Sequence, residues 1–308
     1  MTQQGTWPRV AVVGAGAVGG YFGGLMAHAG APVMMIGRTS FVEAVKNAGL
    51  FLDTLHFQKS VRVEASTELS AAHGAALVLF CVKTTDSAAT ARELAPFLAP
   101  DATLVSLQNG VDNVQQIRAA ANIDALPAAV YVAASVEAPG RVKHEARGDL
   151  VIGPECEQTK RLAGLFVRAA VPCRISGNIE GELWTKLIWN CALNSVSALS
   201  QAKYGQIADS IDARKLVERV VDEVLAVARA AHIALPGLED PQVAMAGAMK
   251  IATQMAGALS STARDINRGK RTEIDSLNGY ISRRGAELGV PTPVNHALFT
   301  LVKLLERR

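Results

Sequence analysis

Arg9-Val-Ala-Val-Val13-Gly14-Ala15-Gly16-Ala17-Val18-Gly19 is a short β-branched run that leads directly into three spaced glycines. A helix-compatible segment follows as far as His28, so the stretch predicts a strand, a glycine turn and a helix. In a dinucleotide-binding unit, the glycines permit the turn, the approach of a pyrophosphate, and close packing of helix on strand. A packing turn without a ligand is the alternative. The residues predicted to bind the dinucleotide are Gly14, Ala15, Gly16, Ala17, Val18 and Gly19.

The end of the next strand bears on the choice of cofactor. Pro32-Val-Met-Met-Ile36 is apolar and lies where the second strand of such a unit belongs. An NAD-binding fold carries Asp or Glu after this strand, but this chain has Gly37-Arg38-Thr39-Ser40. A guanidinium forks onto a phosphate, so Arg38 favours NADP (NADPH) over NAD. A solvated loop arginine is the alternative.

Two further strands end in polar side chains. Lys83 follows the buried run Ala76–Val82, and Asn109 follows Thr103–Leu107. The carboxyl ends of parallel strands line the ligand crevice of an open α/β sheet. Lys83 is therefore a candidate contact to the cofactor or to a substrate anion, and Asn109 to a nicotinamide carboxamide or a substrate oxygen. Loop side chains in water are the alternative for both residues.

The remaining pattern predicts an α/β fold with two domains. Short strands are predicted at Val130–Val132, Arg141–Glu145 and Leu150–Ile152, joined by turns at Pro139-Gly140 and Arg147-Gly148. We expect an N-terminal Rossmann-type domain (residues 1–177), whose parallel sheet has an antiparallel extension, followed by an all-helical C-terminal domain (residues 178–308). The helices predicted in the second domain are Asn178–Ser200, Asp209–His232, Pro241–Leu259, Thr272–Leu288 and Asn295–Glu306.

The first of these helices carries an unusual polar stripe. Lys186, Asn190 and Asn194 recur every four residues and fall on one face, drifting by about 40° per step. Most of their neighbours are apolar, which indicates a buried helix whose stripe must meet polar partners. An exposed stripe in which Glu182 and Lys186 form a surface ion pair is the alternative.

Composition excludes several classes of function. The chain has 308 residues, a formal charge of +3 and dispersed basic residues, so a nucleic-acid partner is not expected. The uncharged run Val10–Gly37 is broken by glycines and Pro32, which argues against a membrane span. Four cysteines without a CxxC pair fit a reducing cytoplasm, and no metal-ligand pattern is present.

The assembled motifs resemble those of the ketopantoate reductase family. The resemblance covers nearly the whole chain, from the glycine turn through Gln108-Asn109-Gly110 and Trp184-x-Lys186-x-x-x-Asn190-x-x-x-Asn194 to two segments further on. Those segments are Ser260-Ser261-x-x-x-Asp265 and Arg271-Thr272-Glu273-Ile-Asp275. The resemblance implies NADPH-dependent reduction of a 2-keto acid to the 2-hydroxy acid, with 2-dehydropantoate (ketopantoate) the family's best-known substrate.

The resemblance also implies a role for each site residue. Lys186 would be the general acid, and Glu273 would orient it or hydrogen-bond the cofactor and substrate. Asn190, Asn194 and Ser261 would bind the substrate. Lys83 and Asn109 would line the junction of nicotinamide and substrate, so Asn109 belongs to both sets.

Two departures from the family pattern concern the substrate. Tyr204-Gly205 stands where the biosynthetic enzymes have asparagine before glycine, and Asn109-Gly110 continues as Val111-Asp112. Both changes could reshape a substrate pocket. Two other readings stay open: another two-domain 2-keto or hydroxy acid dehydrogenase of the same superfamily, and a catalytically silent NADP-binding sensor. The chain is compatible with a homodimer.

Overall fold

The computed structural model describes residues 6–306, and the contacts of the chain divide it into two compact units between Ile179 and Glu180. We call the part up to Ile179 unit 1 and the part from Glu180 unit 2. Among the described residues, every strand lies in unit 1, and unit 2 is helical. The predicted fold class is therefore confirmed. The predicted domains extend into residues 1–5 and 307–308, which lie outside the described residues.

The elements of unit 1 alternate between strand and helix in its first half. Its strands are β1 (Val10–Val13), β2 (Val33–Ile36), β3 (Leu50–Asp53), β4 (Gln58–Val61), β5 (Glu64–Ser66), β6 (Leu77–Phe80), β7 (Thr103–Ser106), β8 (Ala125–Ala138), β9 (Arg141–Ile152) and β10 (Cys173–Ile175). Its helices are α1 (Ala17–His28), α2 (Thr39–Ala48), α3 (Ser87–Leu94), α4 (Asn113–Ala121) and α5 (Glu157–Arg168).

These strands form one sheet in the order β4-β3-β9-β8-β7-β6-β1-β2-β5, with β10 beside β9. Strand β1 pairs in parallel with β2 and β6, and β7 in parallel with β6 and β8. Strands β8 and β9 are antiparallel, which confirms the predicted extension. Because β1, β2, β6 and β7 point the same way, the loops that follow them gather at one edge of the sheet.

The antiparallel extension has longer strands than the sequence predicts. Strands β8 and β9 form one hairpin that turns at Pro139-Gly140, as expected, with φ of 71° at Gly140. The predicted turn at Arg147-Gly148 is wrong, because these residues lie inside β9. Their φ values are 59° and 128°, and the pairing register shifts beside Arg147. Two consecutive residues with positive φ can form a bulge within a strand as readily as a turn between strands. The presence of a glycine in the sequence therefore does not distinguish a bulge from a turn.

The parallel strand β1 is buried on both faces of the sheet. In β1, Val12 packs in an apolar cluster with Phe22 of α1, and Val13 in a second cluster with Ile117 of α4. All four residues are at most 1% exposed. Continuous burial of a parallel strand follows when helices cover both faces, and it explains the uninterrupted β-branched run of β1.

The second half of the chain consists of helices of different length. They are α6 (Ile179–Ser200), α7 (Tyr204–Asp209), α8 (Ile211–Ala230), α9 (Pro241–Gln254), α10 (Ser261–Asn267), α11 (Asn278–Leu288) and α12 (Pro293–Leu305). Helix α6 confirms the first predicted helix within one residue. The predicted end of α9 at Leu259 is wrong, because the carbonyls of Ala256 and Ala258 accept from the first backbone N–H groups of α7. The helix predicted from Thr272 begins only at Asn278, after a 3₁₀ turn over Ile274–Ser276.

Candidate active site

The glycine turn between β1 and α1 is built from backbone. Gly14 has φ of 100°, and a Cβ there would lie 2.6 Å from the backbone nitrogen of Val82. A Cβ on Gly19 would lie 2.2 Å from the carbonyl oxygen of Gly14, so α1 packs directly on the turn. Both positions require glycine, one for its conformation and the other for the close approach of helix and turn.

Gly16 differs from the other two glycines because it borders open space. It is exposed, and a Cβ there would meet no atom within 4 Å. The backbone nitrogen of Gly20 donates to the carbonyl of Gly16 at 2.8 Å, so the N–H groups of Ala17, Val18 and Gly19 precede the first helical hydrogen bond. The first turn of α1 has no acidic residue. An open face, helix-start amides and no negative charge fit the pyrophosphate of a dinucleotide.

Arg38 lies beside this turn, at the start of α2, and is exposed. The backbone nitrogens of Gly14 and Ala15 donate to the carbonyl of Ile36, at 3.0 and 3.1 Å. A Cβ on Gly37 would lie 2.8 Å from that of Ala15. The end of β2 is therefore fixed against the glycine turn, and the chain carries Arg38 next to the face that fits a pyrophosphate.

Lys83 and Asn109 follow β6 and β7, and both are half-buried. The hydroxyl of Thr84 donates to the backbone carbonyl of Asn109 at 3.0 Å, and Nδ2 of Asn113 donates to the same oxygen at 2.7 Å. The loop that carries Lys83 is thus hydrogen-bonded to the loop that carries Asn109. Within unit 1, the predicted cofactor residues lie at one edge of the sheet, in the loops that follow the parallel strands and in the first turn of α1.

The side chain of Gln108 also links these two loops. The sequence did not indicate this role. It is 5% exposed, and its Nε2 donates to the carbonyl of Val82 at 2.9 Å and to the hydroxyl of Ser87 at 2.6 Å. Its Oε1 accepts from the hydroxyl of Ser106 at 2.9 Å. A buried amide with its groups satisfied holds its surroundings rigidly. The signal in the sequence was a polar residue directly after an apolar strand.

The predicted polar stripe lies on α6 in unit 2. Lys186 and Asn190 are half-buried, and Asn194 is 4% exposed. The helix is otherwise deeply packed: Trp184 is 2% exposed, and its ring meets the ring of Tyr280 edge-on, with centroids 5.9 Å apart. Lys186 is therefore only partly exposed on an otherwise packed helix.

Two neighbours in unit 2, Tyr204 and Ser260, hold Asn194. The hydroxyl of Tyr204 donates to its Oδ1 at 2.8 Å, and Tyr204 is 7% exposed. The hydroxyl of Ser260 donates to its backbone carbonyl at 3.1 Å, and the backbone nitrogen of Ser260 donates to Ser197 at 3.2 Å. Ser261, the predicted substrate ligand, is the next residue and is exposed at the start of α10.

A buried hydrogen-bond network anchors the middle of α6, and the sequence did not indicate it. Nδ2 of Asn278 donates to the carbonyl of Cys191 at 3.1 Å and to Oδ1 of Asn295 at 2.9 Å. Nδ2 of Asn295 in turn donates to Oε2 of Glu223 at 2.8 Å. Asn278 and Asn295 are both 0% exposed. The network therefore ties the helix of the stripe to α8, α11 and α12.

Glu273, the second predicted catalytic residue, is half-buried at the start of the 3₁₀ turn over Ile274–Ser276. Its position is set by the residues on either side. Thr272 hydrogen-bonds to the carboxylate of Glu306, and Asp275 pairs with Lys303 at 2.9 Å. An ion pair and hydrogen bonds therefore hold the chain on both sides of Glu273.

Two structural features are absent from residues 6–306. No group of three or more His, Cys, Asp or Glu side chains in this range could hold a metal ion. Likewise, none of the helices in this range has the length and apolar character needed to cross a membrane.

Comparison with known proteins covers both units. A family model described as ketopantoate reductase PanE/ApbA matches residues 10–155, and one described as ketopantoate reductase PanE/ApbA C terminal matches residues 178–306. A 2-dehydropantoate 2-reductase of Pyrococcus horikoshii is 31% identical over 97% of this chain and 97% of its own length.

Solved structures also match this chain over nearly its whole length. A PanE/ApbA family ketopantoate reductase from Ralstonia eutropha JMP134 is 45% identical, with a TM-score of 0.91 over 97% of this chain and 98% of that one. A D-mandelate dehydrogenase solved with NADH and anilino(oxo)acetate has a TM-score of 0.90 at 24% identity, over 97% and 98% of the two chains. At that identity the likeness shows the fold alone.

Proposed function

The chain belongs to the ketopantoate reductase family of oxidoreductases, and from that premise we propose that it reduces 2-dehydropantoate (ketopantoate) to pantoate with NADPH. The observation that carries the proposal is the half-buried Lys186 on the same face of α6 as Asn190 and Asn194. We further propose that unit 1 binds the cofactor and that unit 2 binds the substrate and supplies the proton. No observation favours the sensor or another superfamily activity.

The cofactor assignment rests on the edge of the sheet in unit 1. NADPH, when bound, supplies the hydride for the reaction. The open face of Gly16 and the first N–H groups of α1 would bind the pyrophosphate, and Gly14 and Gly19 would keep the turn close to the helix. Arg38 would bind the 2′-phosphate, which makes NADPH the proposed cofactor and NADH the weaker one. Lys83 and Asn109 would contact the nicotinamide end and the substrate.

Lys186 can provide what the reduction of a ketone requires. Hydride addition to a ketone leaves negative charge on the oxygen, which must be stabilised and protonated. An ammonium group does both, because it provides a positive field and donates a proton. Glu273 would orient Lys186 or hydrogen-bond the ligands, and the bonds around Thr272 and Asp275 support a fixed position for it.

Substrate binding is assigned to neutral hydrogen-bonding groups. Asn190 and Asn194 continue the stripe beyond Lys186, and Ser261 starts α10 directly after the residue that bonds the backbone of Asn194. Amides and hydroxyls can bind the carboxylate and hydroxyl of a keto acid without requiring another buried charge. Asn109 of unit 1 would add a further amide.

The test is turnover of purified protein with NADPH and ketopantoate, followed by the loss of NADPH absorbance. Other branched 2-keto acids are assayed beside it, and the series is repeated with NADH. We expect ketopantoate with NADPH to give the highest kcat/KM. Preferential turnover of another 2-keto acid would reassign the substrate, and tight NADPH binding without turnover of any carbonyl compound would favour the sensor.

We also propose a cytoplasmic location and a homodimer. The four cysteines are free thiols, as expected in a reducing compartment. Leu301 and Leu304 of α12 are 49% and 53% exposed and lie three residues apart, so they offer an apolar contact for a second copy. Sedimentation of the purified chain and of a Leu301→Glu variant would test the dimer, which should dissociate in the variant.

A further inference from the structure

Tyr204 is held rigidly where it meets Asn194. Its own backbone nitrogen donates to the carbonyl of Ala258 at 3.0 Å, and the nitrogen of Gly205 donates to that of Ala256 at 3.0 Å. A Cβ on Gly205 would lie 2.9 Å from the Cβ of Ala256, so the start of α7 is pressed onto this segment. The phenol hydroxyl therefore reaches Asn194 from a fixed backbone.

The hydrogen bond determines which way the amide of Asn194 faces. Burial raises the pKa of Tyr204 far above its usual value, so the hydroxyl stays protonated and donates to Oδ1. Nδ2 then occupies the other branch of the amide. If the amide flipped, the hydroxyl would face an N–H₂ donor and would lose the acceptor it now has, which is costly in a buried site.

We propose that Tyr204 is a positioning residue that presents Nδ2 of Asn194 as a fixed donor to an oxygen atom of the keto acid. The inference rests on the proposed function, because that function assigns Asn194 to the substrate. Ser260 supports the same arrangement by bonding the backbone of Asn194. A fixed donor selects substrates with an acceptor oxygen at this point and rejects those that present only a donor.

The first test is Tyr204→Phe, which removes one hydroxyl and keeps the ring. We expect KM for the keto acid to rise about 3- to 10-fold, the effect of one hydrogen bond, with kcat and NADPH affinity nearly unchanged. Tyr131→Phe, a hydroxyl deletion in unit 1, is the matched control and should leave KM unchanged. A purely structural role would instead lower the melting temperature and kcat together.

A double-mutant cycle then tests whether Tyr204 acts through Asn194. In an Asn194→Ala background, Tyr204→Phe should change KM by less than about twofold, because the amide it positions is gone. An undiminished effect in that background would overturn the proposal. An unchanged KM in the Tyr204→Phe single variant would also overturn the proposal.

Asn194→Asp covers the case in which Tyr204→Phe fails to fold. Either carboxylate oxygen can accept from Tyr204, but the donor toward the substrate is lost and a negative charge faces an anionic keto acid. We expect KM to rise by more than about tenfold with little change in melting temperature. An unchanged KM would overturn the donor role. Failure of the wild-type chain to turn over any 2-keto acid would instead overturn the proposed function itself.

Discussion

Thr272 donates two hydrogen bonds to a single oxygen atom, Oε1 of Glu306, through its backbone N–H and its hydroxyl, each at 2.6 Å. The other oxygen of Glu306 pairs with Lys303 at 2.6 Å, and Lys303 also meets Asp275 at 2.9 Å. Glu273 lies between Thr272 and Asp275 in the sequence. The end of α12 therefore fixes both flanks of the proposed catalytic carboxylate.

This cluster predicts a loss of stability in acid. Burial raises the pKa of Glu306, but hydrogen bonds from Lys303 and Thr272 outweigh burial and lower it below its ordinary value of 4.5. A carboxyl with a lowered pKa in the folded state stabilises the protein above its unfolded pKa, and this contribution is lost as pH falls through the folded value. Below about pH 4.5, the free energy of unfolding in urea should fall more steeply for the wild type than for Glu306→Gln. An equal pH dependence in the wild type and in Glu306→Gln would contradict the role of Glu306. Glu287→Gln, which removes a carboxylate from an exposed ion pair, is the control.

Lys186→Ala should remove the proton donor. We expect kcat to fall by about a hundredfold or more, with the Kd of NADPH little changed, because cofactor binding is assigned to unit 1. Steady-state kinetics with ketopantoate and a fluorescence titration of NADPH measure the two effects. Lys203→Ala, at an exposed lysine before α7, is the matched control and should keep full turnover. Retained turnover in Lys186→Ala would exclude Lys186 as the general acid.

Arg38→Ala should abolish the preference for NADPH. The ratio of kcat/KM with NADPH to that with NADH should fall by about tenfold or more, because a charge-assisted hydrogen bond to the 2′-phosphate is lost. NADH has no such phosphate, so its own kcat/KM should stay nearly constant. Arg62→Ala, at an exposed arginine before β5, is the control. If the ratio is unchanged, another group binds the 2′-phosphate.

Two glycines of the turn, Gly16 and Gly19, should respond differently to alanine. Gly16→Ala meets open space, so we expect an unchanged melting temperature but weaker NADPH binding, by about tenfold, since the methyl group enters the face assigned to the pyrophosphate. Gly19→Ala should unfold at lower temperature, because its Cβ would collide with the carbonyl of Gly14. Thermal melts with and without NADPH separate the two effects. Normal NADPH affinity in Gly16→Ala would place the pyrophosphate elsewhere.

Asn295→Ala should weaken the anchoring of α6. The change removes one of the two acceptors of the Asn278 amide and one donor from Glu223. Asn278 is buried and Glu223 is half-buried. We expect the free energy of unfolding to fall by about 1 to 3 kcal/mol, measured by urea denaturation. Gln254→Ala, at an exposed amide at the end of α9, should change it by less than about 0.5 kcal/mol. An equal loss in both variants would argue against the network.

Local patterns in the sequence predicted the parts of the fold that short-range physics determines. The glycine turn follows from three glycines spaced over six residues, and α6 from its apolar composition and the four-residue spacing of its polar stripe. The network through Asn278, Asn295 and Glu223 joins residues that lie 17 and 72 positions apart, and no local pattern specifies such partners. The same is true of the bond between Tyr204 and Asn194. The sequence identified Tyr204 as unusual, but only the folded structure reveals that its hydroxyl contacts Asn194.

The order of the sheet has a consequence for the chain during its synthesis. Strand β3 pairs with β9 through Phe51 and Arg141, so it is translated about ninety residues before its partner. Leu52 pairs with Val142 and is 0% exposed in the finished unit, so it lacks this partner throughout the interval. Apolar strands with open edges are the segments that aggregate and that chaperones bind. A chain that ends before Arg141 would therefore be prone to misassociation, although its glycine turn is already complete.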